Sequence, residues 1–461
     1  MKKYSTKFWI TFWLISAILL AGWFVFWEVK NKGIESINTA ISYLPFESEN
    51  KDKYKTIVSI ANNFLKQDDV EKNFLILFQN NLELRPGGGY IGTFGILKTK
   101  NGKVTDIQTH DLSNFDGRVP NTIEPPYPMQ ETLGIKHWKM RDSNYSPDFP
   151  VNAEKAEFFY HLGEGQEEFD GIIGLTANVL TAALKITGPI SVDGYPGIYD
   201  SENAIITLEY QVEKGYVKQG IETGERKSIM NDLAKEIVSR VSDLSLPQKM
   251  EIFRSLVDDL DRKDIQLNFK DENLQKTVKK VNWGGKVDED WEQDYLMVVD
   301  ANLGAYKSDY YIKRSIEYNV DLAGDIPKVN LKITYNHTAE KKDWMTRDYL
   351  SYLRLYVPEE SWIVSHDGLN SPQFGNEFGK KYFGFIVEVP IKSSRTVEFQ
   401  YNLPEKFKGN IYNLKIQKQA GVIDVPVKIN VTDKNETIRS YDTIMNADVV
   451  ISDLELEKEL N

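Results

Sequence analysis

The spacing of apolar positions changes several times along this chain, and each change marks an expected element. Phe8 to Trp27 runs for twenty residues without a charge. At about 1.5 Å per residue such a helix is roughly 30 Å long, the thickness of a bilayer core. Trp9 and Trp13 lie toward one end and Trp23 and Trp27 toward the other, where indole rings favour the membrane interface. The run is too long for a signal-peptide core and no A-x-A-like site follows it, so an uncleaved anchor is expected. Lys2, Lys3 and Lys7 precede it, and a short basic tail stays in the cytoplasm. Residues 1–7 are then a cytoplasmic tail and 8–27 a transmembrane helix. The rest is expected outside the plasma membrane. Ile34, Ile37, Ile41 and Leu44, then Ile57, Ile60, Ala61 and Phe64, recur at helical spacing. They predict a helical stalk over 28–70 that packs onto the body.

Phe74 to Phe78 is a short continuous apolar run, the pattern of a strand buried on both faces. Tyr90 to Lys98 is a second strand. Asn101-Gly102 supplies a tight turn, and Val104 to Thr109 returns as a third strand, with Asp111 just beyond it. A proline-rich loop leads to Arg141–Pro150. A helix follows, then a strand at Phe169–Leu175, a helix at Thr176–Leu184 and a short strand at Ile190–Val192. This alternation predicts an α/β (α+β) domain over 71–200. Residues 201–290 carry helical periods, such as Leu233, Ile237, Val241 and Leu244, and read as a helical extension of that domain. From 291 to 435 seven short β runs alternate with turns, the spacing of an immunoglobulin-like β-sandwich. Residues 436–461 form a charged tail with one strand at Ala447–Ile451. The tyrosine-rich stretch 306–318 is expected to pack between domains.

Composition narrows the chemistry. The net charge of −12 argues against a nucleic-acid partner, which needs a basic face. There are no cysteines, which removes disulfides, thiolate metal sites and cysteine nucleophiles. The five histidines show no H-E-x-x-H or other ligand spacing, so a zinc hydrolase is not expected. G-x-S-x-G is absent.

Three places remain as candidate sites. Arg85-Pro-Gly87-Gly88-Gly89 joins two strands. Its glycines suit either a nest of N–H groups around an anion or a tight strand connection. Arg85 would add a fork for carboxylate or phosphate. Arg141, Asp142, Asn144 and Asp148 fall within eight residues. The carboxylates are candidate Mg²⁺ ligands or caps of the next helix. Asp111 ends a strand, where ligands of open α/β sheets gather. Asp111 and Asp148 are the candidate metal ligands.

Several of these stretches together resemble one bacterial family, the domain of unknown function 4012. They are Gln79–Gly95, Arg141–Pro150, Phe169–Ile190, Val299–Arg314 and Tyr352–Ser361. The resemblance implies a membrane-anchored, extracytoplasmic protein and brings no activity. The order of elements around Arg85 and Asp111 is also similar to the LytR-CpsA-Psr family of cell-wall ligases. That similarity implies Mg²⁺-dependent phosphotransfer of a polyprenyl-pyrophosphate-linked glycopolymer, with Arg85 and Arg141 at the pyrophosphate. Arg-Pro-Gly stands here where that family has Arg-Ser-Asp. The expected function is thus a cell-envelope binding or structural protein, its partners the bilayer and an envelope glycopolymer or protein. The alternative is the phosphotransferase.

Overall fold

A computed structural model describes residues 48–65, 69–367, 369–408 and 411–455. The expected membrane helix Phe8–Trp27 lies outside the described residues, as does Ile34–Leu44. Among the described residues, no helix is long and apolar enough to cross a membrane.

The first unit is built on a five-stranded sheet. Its strands are β1 (Lys72–Asn80), β2 (Tyr90–Lys100), β3 (Lys103–Asp111), β4 (Gly171–Thr176) and β5 (Ile265–Phe269), in the order β3-β2-β1-β4-β5. Only the β1–β4 pair is parallel. The Phe74–Phe78 run lies at the centre and is covered on both faces, which is why it lacks polar alternation. Leu75 and Leu77 face helix α2 (Phe149–Leu162) through Phe149, Ala153 and Phe159. Phe74 faces the other way, toward Leu267, Phe269 and Trp283. Helix α1 (Ser48–Leu65) packs on that second face through Ile57, Ile60 and Phe64.

Two sequence expectations are corrected here. Ile190 forms an isolated bridge to Tyr199 and not a strand. The region 201–290 is helical as expected over α4 (Ser228–Asp243) and α5 (Leu246–Asp261), which follow α3 (Asn178–Thr187). It also contributes β5, which pairs antiparallel with β4 before α6 (Glu272–Lys280) begins. β5 is five residues long and holds Gln266 and Asn268, too short and too polar to register as a period.

The second unit has more strands than the seven expected. β6 (Asp294–Asn302), β7 (Ile312–Asp321), β8 (Lys328–His337), β9 (Tyr349–Pro358), β10 (Trp362–His366), β11 (Asn370–Glu377), β12 (Lys380–Val389), β13 (Ser394–Asn402), β14 (Ile411–Gln417), β15 (Val425–Thr432), β16 (Ile438–Met445) and β17 (Val449–Glu455) form two six-stranded sheets. One has the order β10-β13-β8-β7-β15-β16, the other β11-β12-β9-β6-β14-β17. The sheets pack face to face through residues such as Ile316, Leu331 and Phe399 against Leu353, Phe385 and Leu414. β16 comes from the stretch expected as a tail, and β17 overlaps the strand expected there at Ala447–Ile451. Both are edge strands with exposed side chains, Ile438, Ile444 and Val450 among them, so their apolar pattern never reaches the strength of a core strand.

Candidate functional site

The turn between β1 and β2 is where the two units meet. Leu84 accepts a hydrogen bond at its carbonyl from the Asn302 amide (2.9 Å), at the end of β6. Its own amide donates to the Asp309 carboxylate (3.0 Å). Asn81 donates through its side chain to the Gly421 carbonyl (3.2 Å). Gln419 donates to the carbonyls of Arg85 (3.2 Å) and Asp300 (2.8 Å). The Asn80–Leu97 stretch therefore holds the sandwich to the α/β unit.

Arg85 is buried at the centre of this seam, 2 % exposed. Its Nε and Nη2 both point at Asp142 Oδ1 (3.2 Å each). Nη2 also meets Glu83 Oε1 (3.0 Å). Nη1 donates to the carbonyls of Asn302 (2.8 Å) and Leu84 (3.4 Å). A guanidinium has five N–H donors; four internal hydrogen bonds engage Nε, Nη1 and Nη2, and Nη2 is also in ion-pair range of Asp142. Burial alone would lower the Arg85 pKa, but Glu83 and Asp142 outweigh it and hold the cation charged. An anion from solution would have to displace two buried carboxylates.

The glycines serve the same seam. The Gly87 amide donates to the Asn144 carbonyl and the Gly88 amide to the Arg85 carbonyl (3.1 and 2.9 Å). Two members of the expected nest are thus already satisfied. Gly88 has φ +131°, and an added Cβ would strike the Gln79 side-chain oxygen. Gly87 and Gly89 leave no room for a Cβ against Asn152 and the Asn80 backbone. Asn144 is fully buried and donates to the Gly89 carbonyl.

Arg85, Gly87, Gly89, Asp142 and Asn144 therefore come together, but on one another. The remaining candidates point elsewhere. Arg141 pairs with Asp116 (2.6 Å). Asp148 caps α2 at Val151 (3.3 Å) and accepts from the Val287 amide (3.0 Å). Asp111 accepts from Ser113 (2.8 Å) and pairs with Lys227 (2.7 Å). Burial would raise the Asp111 pKa, yet Lys227 and Ser113 take it below the usual range. The two candidate Mg²⁺ ligands, Asp111 and Asp148, each serve a different helix start. Elsewhere among the described residues Glu157, His161 and Glu168 bring ligand atoms within 4.8 Å of one another. The Lys270 ammonium already lies 2.6 Å from Glu157 and 4.0 Å from Glu168, in the place of a cation.

Sequence reasoning missed the cleft beside this seam. It measures about 690 Å³ and runs between α6, the 284–290 loop and β14. Seven lysines and five carboxylates line it. At its floor Lys263 meets Asp448 (2.7 Å) and Lys415 meets Asp288 (2.6 Å). Nearer the mouth Lys286 meets Glu289 (2.9 Å) and Lys279 meets Asp290 (3.4 Å). Lys276 is exposed at the lip. One signal was present: Lys415 and Gln417 alternate with buried Leu414 and Ile416, which places both on a single face of a strand.

Behind the floor sit groups with displaced titrations. The Asp264 carboxylate accepts from Thr176 (2.6 Å) and Asn178 (2.8 Å). Burial, and then the charge of Asp264, push the neighbouring Asp259 carboxyl up to about 7. Burial brings the Lys418 amine down to about 8. A carboxyl raised in the folded state binds its proton more tightly there than in the unfolded chain. Stability from Asp259 is therefore fully present below its ordinary pKa near 4. It falls as pH rises toward about 7 and stays lost above that. Asp259→Asn is expected to flatten this fall and to stabilise the chain at pH 8, by an amount on the order of a few kcal/mol. Denaturant unfolding of both forms from pH 5 to pH 8 checks it, and parallel curves would refute it.

No curated protein matches this chain. A solved structure, the Lin1025 protein from Listeria innocua, is similar at 12% identity and a TM-score of 0.27, over 47% of this chain and 79% of that one. The likeness to the ligase family finds no support in these comparisons. Residues 69–212, which hold Arg85, the glycines and the Arg141–Asp148 segment, match the model of the family described as protein of unknown function, DUF4012.

Proposed function

We propose that this protein works by binding. It is a cell-envelope binding or structural protein, anchored in the plasma membrane by Phe8–Trp27, with its two units on the outer side. The observation that carries this reading is the lysine-lined cleft at the seam of a chain whose net charge is −12. The partner it fits is an anionic segment of an envelope glycopolymer. The pairs at the mouth, Lys286–Glu289 and Lys279–Asp290, are half-exposed or more and contribute about 0–1 kcal/mol each, so a polyanion can exchange for those carboxylates at small cost. The ligand would be held by many weak contacts, and its affinity would fall as salt rises. The phosphotransferase reading is not taken up, because the donors of Arg85 are engaged by Glu83, Asp142 and two carbonyls.

The test uses the full chain in detergent micelles. Cosedimentation with cell-wall sacculi that carry an anionic polymer should exceed that with stripped sacculi and should weaken with salt. Lys276→Glu with Lys286→Glu should reduce it about tenfold, or 1.4 kcal/mol. Equal sedimentation with both kinds of sacculi would overturn the reading. So would Mg²⁺-dependent release of polymer from polyprenyl pyrophosphate that Arg141→Gln abolishes.

A further inference from the structure

The three sheets have six edges, and five of them are blunted or covered. β3 carries a bulge opposite Lys98 and Thr99 and begins with Lys103. The outer side of β5 is covered by the 281–284 stretch, where the Trp283 carbonyl accepts from the Leu267 amide (3.0 Å). β10 is five residues long and breaks register between Ile363 and Ser365. β11 breaks register between Asn370 and Gln373, where Pro372 stands. β17 loses register opposite Tyr412 and Leu414, and Asp453 within it has φ +53°. These are devices by which sheets keep foreign strands away.

The sixth edge, β16, has none of them. Its eight residues pair with β15 in unbroken register and include no proline, glycine or lysine. Among the described residues, no backbone hydrogen bond reaches its other side. Its two charges are engaged within the chain: Arg439 donates to Asp433 (2.8 Å), and Asp442 lies opposite Lys428. Large side chains are left in water on both faces. Ile438 and Ile444 are 63 % and 53 % exposed. Tyr441 shares a face with Met445, which reaches the core, yet is 36 % exposed because no strand lies beyond it.

We propose that β16 pairs antiparallel with β16 of a second copy of this chain, joining two sheets into one. The strand's own sequence selects this occupant and its register. Every second residue of β16 directs its N–H and C=O at β15, and the residues between direct theirs outward. In an antiparallel pair outward groups must meet outward groups, so the two-fold axis passes through a residue and not between two. Centred on Asp442, the pairing sets two carboxylates opposite each other. Centred on Ser440, it sets Ile438 opposite Asp442 and shortens the ladder. Centred on Tyr441, it runs from Ile438 to Ile444. Ile438 then faces Ile444, Arg439 faces Thr443, Ser440 faces Asp442, and Tyr441 faces Tyr441 of the second copy. Apolar meets apolar, a hydroxyl meets the carboxylate, and like charges never stand directly opposite, which is the pattern that stabilises cross-strand pairs. The contact is isologous, so it closes on two copies and leaves no β16 edge for a third. It involves neither the seam cleft nor its lysines, and it stands whether or not the cleft binds a polyanion.

The test is light scattering of the full chain in detergent micelles across a concentration series, which should show a dimer. Tyr441→Lys sets two ammonium groups opposite each other and should weaken dimerisation about tenfold. Tyr441→Glu should do the same, and a mixture of the two variants should restore the dimer, which separates a lost contact from a folding defect. The chain has no cysteine, so introduced ones report the register. Directly opposed residues lie within disulfide reach. Tyr441→Cys alone should cross-link on oxidation. Ile438→Cys and Ile444→Cys should cross-link when mixed, and neither should when alone. A monomer at every concentration, whose edge is then free for a strand of another protein, would overturn the proposal. So would a dimer indifferent to both charge variants, which would put the contact elsewhere in the chain, or cross-linking of Ile438→Cys alone as strong as that of Tyr441→Cys.

Discussion

Arg85→Met is expected to destabilise the chain by about 3–5 kcal/mol, the usual cost of leaving buried carboxylates without their cation. Glu83 and Asp142 lose the guanidinium, and the carbonyls of Leu84 and Asn302 lose a donor. Native stabilities are of the order of 5–15 kcal/mol, so much of the margin would go. Arg85→Lys should recover only part of it, because an ammonium is a point charge with three donors and cannot span the fork. The combination of Arg85→Met with Glu83→Gln and Asp142→Asn should recover more than Arg85→Lys, since it removes the stranded charges. Urea unfolding of the four forms decides this. If Arg85→Met matches wild type within about 0.5 kcal/mol, the range of ordinary surface changes, the seam does not depend on Arg85.

Gly421→Ala is expected to be nearly as costly, although the change is one methyl group. Gly421 has φ +77°, and a Cβ there would overlap the carbonyl oxygen of Gly88. Backbone strain at such a position costs about 1–3 kcal/mol, and overpacking typically adds about 1–3. Two backbones meet at this point, so neither can yield as a flexible side chain would. The Asn81 hydrogen bond to the Gly421 carbonyl would be strained at the same time. Limited proteolysis in the 418–421 turn should accelerate together with the loss of stability. Gly134→Ala serves as the control. It also has positive φ, +66°, but open space around it, so its cost should be the backbone term alone. Equal effects from the two glycines would show that the contact with Gly88 carries no weight.

The central strands were legible because burial on both faces writes itself as Phe74–Phe78, and β7 and β8 because one-sided burial writes itself as alternation. Of the edge strands, β17 was legible in part at Ala447–Ile451, whereas β10 and β16 were not, because most of their side chains face solvent and show no core-strand period. The Asp148 cap was readable from Asp148-Phe149-Pro150. The role of Arg85 was not. An arginine followed by glycines reads the same whether its partner is a phosphate or Asp142, and Asp142 is 57 positions away in sequence. The seam contacts from Asn302 and Gln419 lie farther still. The cleft was hidden for the same reason, since its walls come from α6, β14 and Asp448, each ordinary when read alone.

The pairing of the sandwich has a consequence for how the chain matures. β6 is paired in parallel by β14, and β7 by β15. Both partners arrive more than a hundred positions later, so closing these ladders carries the entropy of a long loop. A topology of that kind folds slowly. Until residue 417 is available β6 keeps an open edge, and until residue 432 β7 does, the surface on which strands of neighbouring chains pair. The 418–421 turn that receives Gly88 arrives in the same late interval. During synthesis the α/β unit would therefore wait, its glycine loop undocked, for the last tenth of the chain. Truncation before β15 should yield aggregates and not a stable half-molecule.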